Sequence, residues 1–377
     1  MADPPHAHAR RGHVHARPAL AGGDAGANAG VAGEADPRHQ PRGRQQRGRL
    51  GNEPELYGTF AWYTRDGQPV PGRPADYDFA DFTSDFSRIS RTLPRLALAG
   101  PSIGVPTPVP RLGQFLAAEP RLGLASFHAY PLLECFTDPS SPRYPTIPRL
   151  LAPSSSTGLA DSLAGYVATA RSDQLALRVD EMNTVGCGAA PGVSNTFATA
   201  LWALDASFAM AQVGVAGINI HTYPGSTSQL FSFTRKGRSW SASVEPEYYG
   251  LEMFAQAAPP GSVLLSTASN GTDVRAWATR ATDGTVRVVL INDAGGRRVV
   301  AVRSPISAAT ATLVQLLAPS VGAQSGVTLG GQGFGRRTTT GLPAGRARVA
   351  PLAPIRRDFV VTLPPTSAAL LTLARGR

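Results

Sequence analysis

The chain has 377 residues and a mass of 39.4 kDa, more than one small domain and suited to two of roughly 150 residues each. It is 42% hydrophobic and 16% charged, with 40 Gly and 33 Pro, so it can bury a core built from short elements. No run approaches the roughly 20 apolar residues of a membrane span, and transmembrane, coiled-coil and collagen-like chains are excluded.

The net charge of +10 does not mark a nucleic-acid protein. Lys236 is the only lysine among 36 basic residues, a skew that GC-rich coding explains. Apart from a cluster at Arg38, Arg42, Arg44, Arg47 and Arg49, the arginines are scattered, with no basic stripe beside aromatics. Cys135 and Cys187 can make one bridge but no disulfide framework. No CxxC or Cys/His cluster points to zinc, and no cofactor or metal is expected.

Residues 1–49 lack Phe, Tyr and Trp and hold five of the seven histidines: His6, His8, His13, His15 and His39. HAH and HVH invite a metal-site reading, but a metal site needs a folded second shell. No period of 2 or 3.6 is visible, so no packed element is expected, and the stretch reads as a disordered or mistranslated tail. No apolar h-region of a signal peptide follows the start.

From Gly51 the texture changes. Asp76 to Leu93 predicts a helix, with Phe79, Phe82, Phe86 and Ile89 on one face. Further helices are expected at about 111–118, Leu159–Arg171, Ser194–Val213 with Ser194 as N-cap, and Pro246–Ala257. Between them lie five predicted strands, at roughly 48–53, 95–101, 122–129, 175–181 and 216–221. Each ends in polar or aromatic residues: NEP, GPS, HAY, DEMN, HTY. Alternating strands and helices imply a parallel sheet, with a site at the strand C-terminal ends. After about residue 262 only short strands follow, which predicts a β-sandwich.

Glu53 ends the first of these strands and Glu181 the fourth. Three βα units separate them, as for strands 4 and 7 of a barrel. Two carboxylates at one barrel mouth can flank a glycosidic bond: one protonates the leaving oxygen, the other attacks the anomeric carbon or activates water. Asn52, just before the acid, would reach the sugar 2-hydroxyl.

GNEPELYG, FHAYPL with YPTI, RVDEMNTVGCG, GVSNTFATALWALD, GINIHTY and EYYGLEMF occur in this order. Together they resemble glycoside hydrolase family 79, which includes β-glucuronidases and heparanases. GVTLGGQGF and LPPTSAALLTL resemble its C-terminal β-domain. The resemblance runs from about residue 50 to the end. It implies a (β/α)8 barrel plus a β-sandwich and retaining cleavage of β-glucuronides. Glu53 then matches the general acid/base, Glu181 the nucleophile and Asn52 its companion.

On the strand-end argument, His128, Tyr130, Asn183 and Tyr223 are candidates for the sugar pocket, with rim packing as the alternative. His221 is read as a core histidine, Arg178 as a salt-bridged barrel residue, Phe197, Trp202 and Phe208 as helix core, and Trp240 as a loop anchor. Cys135 and Cys187 fall just beyond strand ends, where a bridge would pin two rim loops. With the resemblance, such a bridge favours export, against the missing signal peptide.

The resemblance lacks barrel strands 1 to 3. The expected fold class is therefore α/β, an incomplete (β/α)8 TIM barrel (about strands 4–8) followed by a C-terminal antiparallel β-sandwich. The expected divisions are 1–49 tail, 50–260 partial catalytic barrel and 261–377 sandwich. A frame shift or misplaced start explains the tail most simply. Two open parallel edges predict poor folding and little hydrolysis. The expected partner is a carbohydrate, a β-glucuronide or related glycoside, with neither nucleic acid nor membrane. The alternative is a non-catalytic remnant that binds glycans or a completing partner, which tight sugar binding without turnover would favour. A basic nucleic-acid protein would need salt-sensitive DNA binding without residues 1–49.

Overall fold

The computed structural model describes residues 11–17, 47–94, 96–104, 108–270, 273–306, 308 and 310–374. His6, His8, His39 and Arg38, Arg42 and Arg44 lie outside the described residues. The first element is a strand, β1 (Arg11–Arg17). It is followed by β2 (Arg47–Arg49), a hairpin of β3 (Ala61–Arg65) and β4 (Gln68–Pro71), and helix α1 (Phe79–Ser90). Asp78 starts α1 by accepting from the Ala80 and Asp81 amides, and Asp81 returns the bond. Phe82 and Phe86 are buried on its inner face.

Next come β5 (Ala97–Ile103), α2 (Val109–Ala118), β6 (Leu122–Ala129) and the two-residue β7 (Leu132–Leu133). Phe115 of α2 meets Phe82 and Phe86 at ring-centroid distances of 5.8 and 5.0 Å. The helix expected at 159–171 is split into α4 (Thr157–Asp161) and α5 (Ala164–Ser172), after a short α3 (Ile147–Leu150). Then follow β8 (Leu177–Met182), β9 (Val185–Gly186), α6 (Phe197–Val213) and β10 (Ile218–Ile220). A hairpin of β11 (Phe231–Lys236) and β12 (Ser239–Val244) leads to α7 (Pro246–Ala257).

Strands β2, β5, β6, β8 and β10 form one parallel sheet in chain order. The N-cap position of α6 is Thr196, not Ser194, and its hydroxyl donates back to the Val193 carbonyl instead of capping the helix. The Ser194 hydroxyl is already taken by the Ala190 amide and the Thr184 hydroxyl. α6 is apolar on all sides and buried from Phe197 to Met210, as a central helix must be. Phe197, Trp202 and Phe208 are core residues. α7 crosses α6 where Gly250 touches the Ala200 carbonyl, and a Cβ there would collide with it.

The β-rich part comprises β13 (Val263–Asn270), β14 (Arg275–Arg280), β15 (Val286–Asn292), β16 (Arg298–Arg303), β17 (Ala311–Leu317), β18 (Thr328–Leu329), β19 (Ala350–Leu352), β20 (Asp358–Leu363) and β21 (Ser367–Leu373). Its hydrogen-bonded path runs β18-β17-β21-β15-β14-β13-β1-β16-β20. β15 is buried on both faces. Val288 and Leu290 pack with Val300, Val302, Phe359 and Val361, while Val289 and Ile291 join the helix side of the core.

β1 corrects the expectation that residues 1–49 hold no packed element. It pairs antiparallel with β13 and parallel with β16. A strand lying between two others is held by main-chain groups on both sides, so it can form without apolar alternation.

The two parts are locked at Asp205 of α6, which is fully buried. Its carboxylate accepts from Trp277 Nε1 at 2.8 Å and pairs with Arg275 Nε at 3.0 Å. Arg275 also reaches Asp293 at 2.7 Å and the Leu151 carbonyl at 3.1 Å. Trp277 stacks on Phe208, with centroids 5.6 Å apart. Asp205→Ala leaves Arg275 to Asp293 and the Leu151 carbonyl but removes the acceptor of the buried Trp277 indole, and is expected to cost about 1–3 kcal/mol. Trp277→Phe keeps the stack, loses one donor and should cost about 1–3 kcal/mol. Urea midpoints of the purified chain measure both.

Candidate active site

The turn after β2 positions Glu53. Gly51 has φ 91° and lies against the Phe82 ring. Glu53 itself adopts left-handed backbone, φ 48°, and its amide donates to the Ser102 carbonyl at 2.9 Å. A non-glycine residue held there is a local cost that the surrounding contacts must offset. The result aims Oε1 at His128 Nδ1, 2.9 Å away.

His128 is the penultimate residue of β6, and in the ladder it pairs with Glu181 of β8. Polar atoms of Glu53, His128 and Glu181 all lie within 4.8 Å of one another. The same three side chains offer one ligand atom each, but His128 Nδ1 is already engaged by Glu53. Burial pulls the His128 pKa down; the hydrogen bond to Glu53 and the charges of Glu181, Asp180 and Glu53 outweigh it, and the net shift is upward. Its Nε2 lies 3.7 Å from Asp180 Oδ1, and neither of these buried atoms has a hydrogen-bond partner.

Glu181 receives the Tyr130 hydroxyl on Oε1 at 2.7 Å, and His221 Nδ1 lies 3.0 Å from the same oxygen. His221 Nδ1 and the Tyr130 hydroxyl are 2.6 Å apart. Burial, then the Glu181 contact, push the Tyr130 pKa far up, so the phenol stays a donor. His221 is thus no core histidine: its side chain is 44% exposed and lines the cleft. The strand ends one residue earlier, at Ile220, which turns the imidazole outward.

Asn52 lines the cleft, its Oδ1 accepting from Arg49 Nη2 at 3.0 Å. Arg49 also pairs with Asp180 at 2.9 Å, tying β2 to β8. Ser102 bonds both Asp180 and Ser126. Arg49, Asp180 and Ser102 were not singled out for the site, although Arg49 and Asp180 directly flank the two glutamate motifs. Asn183 is buried and holds the strand end, donating to the His221 carbonyl at 2.8 Å. Tyr223 stands exposed on the rim, its ring 5.8 Å from that of His221. Arg178 lies on β8 and is engaged by other groups. Trp240 is in strand β12 rather than a loop, and is exposed outside the cleft lining.

The cleft measures about 700 Å³ and includes Glu53, Glu181, Tyr130, His221 and Arg143. Arg143 donates to the Tyr130 carbonyl at 2.6 Å. One wall is a small parallel pairing, Leu132 with Val185 and Leu133 with Gly186. Just beyond it Cys135 and Cys187 are joined in a disulfide, Cα atoms 5.7 Å apart.

Behind the cleft sits Glu247 in the first turn of α7, with 2% of its surface exposed. Burial pushes its carboxyl up to about 8, against the opposing influence of Asn183.

No protein-family model and no curated protein matches the sequence. Solved structures do match. One is a 4-O-α-L-rhamnosyl-β-D-glucuronidase from Fusarium oxysporum 12S, at TM-score 0.68 and 18% identity over 86% of this chain and 69% of that one. The GH51 arabinofuranosidase from Xanthomonas axonopodis pv. citri follows at TM-score 0.59 and 17% identity, over 86% and 66%. The GH51 α-L-arabinofuranosidase from Thermotoga petrophila RKU-1 matches at 0.55 and 15%, over 86% and 66%. The chain shares the fold of these structures over 86% of its length. The chain spans about two thirds of the length of these structures.

The folded chain keeps a proton on Glu247 that the unfolded chain releases near pH 4.5. Stability should therefore fall from about pH 4.5 to about pH 8, by up to about 1.4 kcal/mol per pH unit from this group. Glu247→Gln is expected to remove that slope in urea titrations at a series of pH values.

Proposed function

We propose that the protein is a retaining glycoside hydrolase of the β-glucuronidase type, with Glu181 as nucleophile and Glu53 as general acid/base. Residues 50–260 are the catalytic unit, read as strands 4–8 of a (β/α)8 barrel, and 261–377 the supporting sandwich. The carboxylate spacing carries this reading. One oxygen of each carboxylate lies within 4.8 Å of the other, a spacing that supports the roughly 5 Å carboxyl separation of retaining enzymes. Inverting enzymes need about 6.5–9.5 Å to admit a water.

Glu181 Oε1 is occupied by Tyr130 and His221, which leaves Oε2 to attack the anomeric carbon. As that bond forms, the glycosidic bond breaks and Glu53 gives its proton to the leaving oxygen. Glu53 then takes a proton from water, whose oxygen attacks the same carbon and releases Glu181. His128, whose proton affinity the surrounding carboxylates raise, keeps its Nδ1 2.9 Å from Glu53 and so holds that carboxyl in place. Preference for glucuronides follows the motif resemblance and is supported by the likeness to the rhamnosyl-glucuronidase.

Turnover in this chain is proposed to be slow. Among the described residues the parallel sheet stops at β2 and β10, each paired on one side only. The same feature favours a second reading, a carbohydrate-binding remnant.

The test uses an aryl β-glucuronide. Glu53→Ala should lower kcat about 10²–10⁴-fold, and Glu181→Ala should abolish turnover. Added azide should restore product release in both. It would attack opposite the leaving group in Glu181→Ala, giving the α-glycosyl azide, whereas Glu53→Ala should give the β-glycosyl azide. Unchanged turnover in Glu181→Ala, or reversed anomers, would sink the role assignment. Binding without turnover by the unsubstituted chain would establish the second reading.

A further inference from the structure

We infer that hairpin β3–β4 carries the aglycone platform of the cleft and takes a flat, apolar aglycone; this rests on the glycosidase reading above. Trp62 and Phe60 are each 60% exposed, yet both line the same cleft as Glu53 and Glu181. A single exposed aromatic needs no explanation. An exposed aromatic that is braced from behind does. A Cβ on Gly72 would fall 2.5 Å from the Trp62 ring, so backbone lies directly against one side of the indole. Tyr57 meets Trp62 edge-on, centroids 5.3 Å apart at 89°. Tyr57 is in turn stacked on Tyr77, whose hydroxyl reaches Asp85.

The hairpin register supports the same assignment. Ala61 pairs with Pro71 and Tyr63 with Val70, so the ladder shifts at Trp62. A bulge of this kind re-aims a side chain. The indole is therefore fixed in place with its remaining surface toward the cleft.

The chemistry of this end of the cleft chooses the occupant. Leu56, Tyr57, Phe60 and Trp62 line it. Their polar side-chain atoms are the Tyr57 hydroxyl, which already accepts from the Asn52 amide at 2.9 Å, and the indole nitrogen. A second sugar would find few polar side-chain atoms there to bond and would gain only through its apolar face, its other hydroxyls staying in water. An aromatic ring would stack on it without that limit.

The experiment measures binding of p-nitrophenyl β-glucuronide and methyl β-glucuronide to the full chain by calorimetry, with Glu181→Gln present to prevent turnover. Trp62→Ala should weaken the aryl ligand about tenfold and leave the methyl glycoside unchanged. Gly72→Ala, which keeps the indole but displaces it, should give a smaller loss on the aryl ligand alone. Equal binding of the two ligands before substitution, or equal effects on both after it, overturns the platform while the glycosidase reading stands. A glucuronide-containing disaccharide that binds more tightly than the aryl ligand, and loses that advantage in Trp62→Ala, puts a sugar there and overturns the apolar occupant. If neither ligand binds any variant, the glycosidase reading falls and the platform with it.

Discussion

The structure turns on one juxtaposition: Glu53 and Glu181, from different strands, are brought within 4.8 Å of each other around His128. His128 reaches both glutamates from the middle of the sheet, between β5 and β8. Glu181 is its direct partner in the ladder. Glu53 comes from 75 residues away in sequence and is tethered by a main-chain bond to the end of β5. Loss of any one of these three strands would release the pair, because none holds both glutamates by itself.

The rest of the molecule supplies rigidity to that arrangement. α6 is apolar on every side because helices, sheet and the β-rich part all pack on it. β15 reads as a continuous apolar run for the same reason, with one face toward the helices and the other toward β16 and β20. The acidic side chain that α6 carries into this region, Asp205, is matched to Arg275 and the Trp277 indole.

Much of this was legible in the sequence because short apolar strands ending in polar residues carry their own boundaries. The parallel strands after β2 lie within a few residues of the predicted runs, and Glu53 and Glu181 do share one cleft. What escaped depends on partners far away in the chain. His221 is drawn to the site by Tyr130, 91 residues earlier. Ser194 is a good capping residue, but its hydroxyl is spent on Thr184 and Ala190, on either side of β9. Glu247 sits in the first helical turn, where an acid is ordinarily solvated and favourable; only the packing of α7 buries it. β1 carries no apolar pattern, since its place is set by main-chain pairing. Trp62 gave no signal because a ladder shift is not visible in residue order.

The Cys135–Cys187 bond closes a covalent ring around 52 residues of sequence separation. That ring contains α3, α4, α5 and all of β8, so the strand bearing Glu181 runs inside it. Closing a loop of this size restricts the unfolded chain by about 4 kcal/mol on the chain-entropy model. The strand carrying Glu181 is thus fastened twice, by its ladder and by a redox-dependent clasp. A chain handled in thiol-rich buffer keeps the first fastening and loses the second, so the mouth of the cleft loosens before the sheet does.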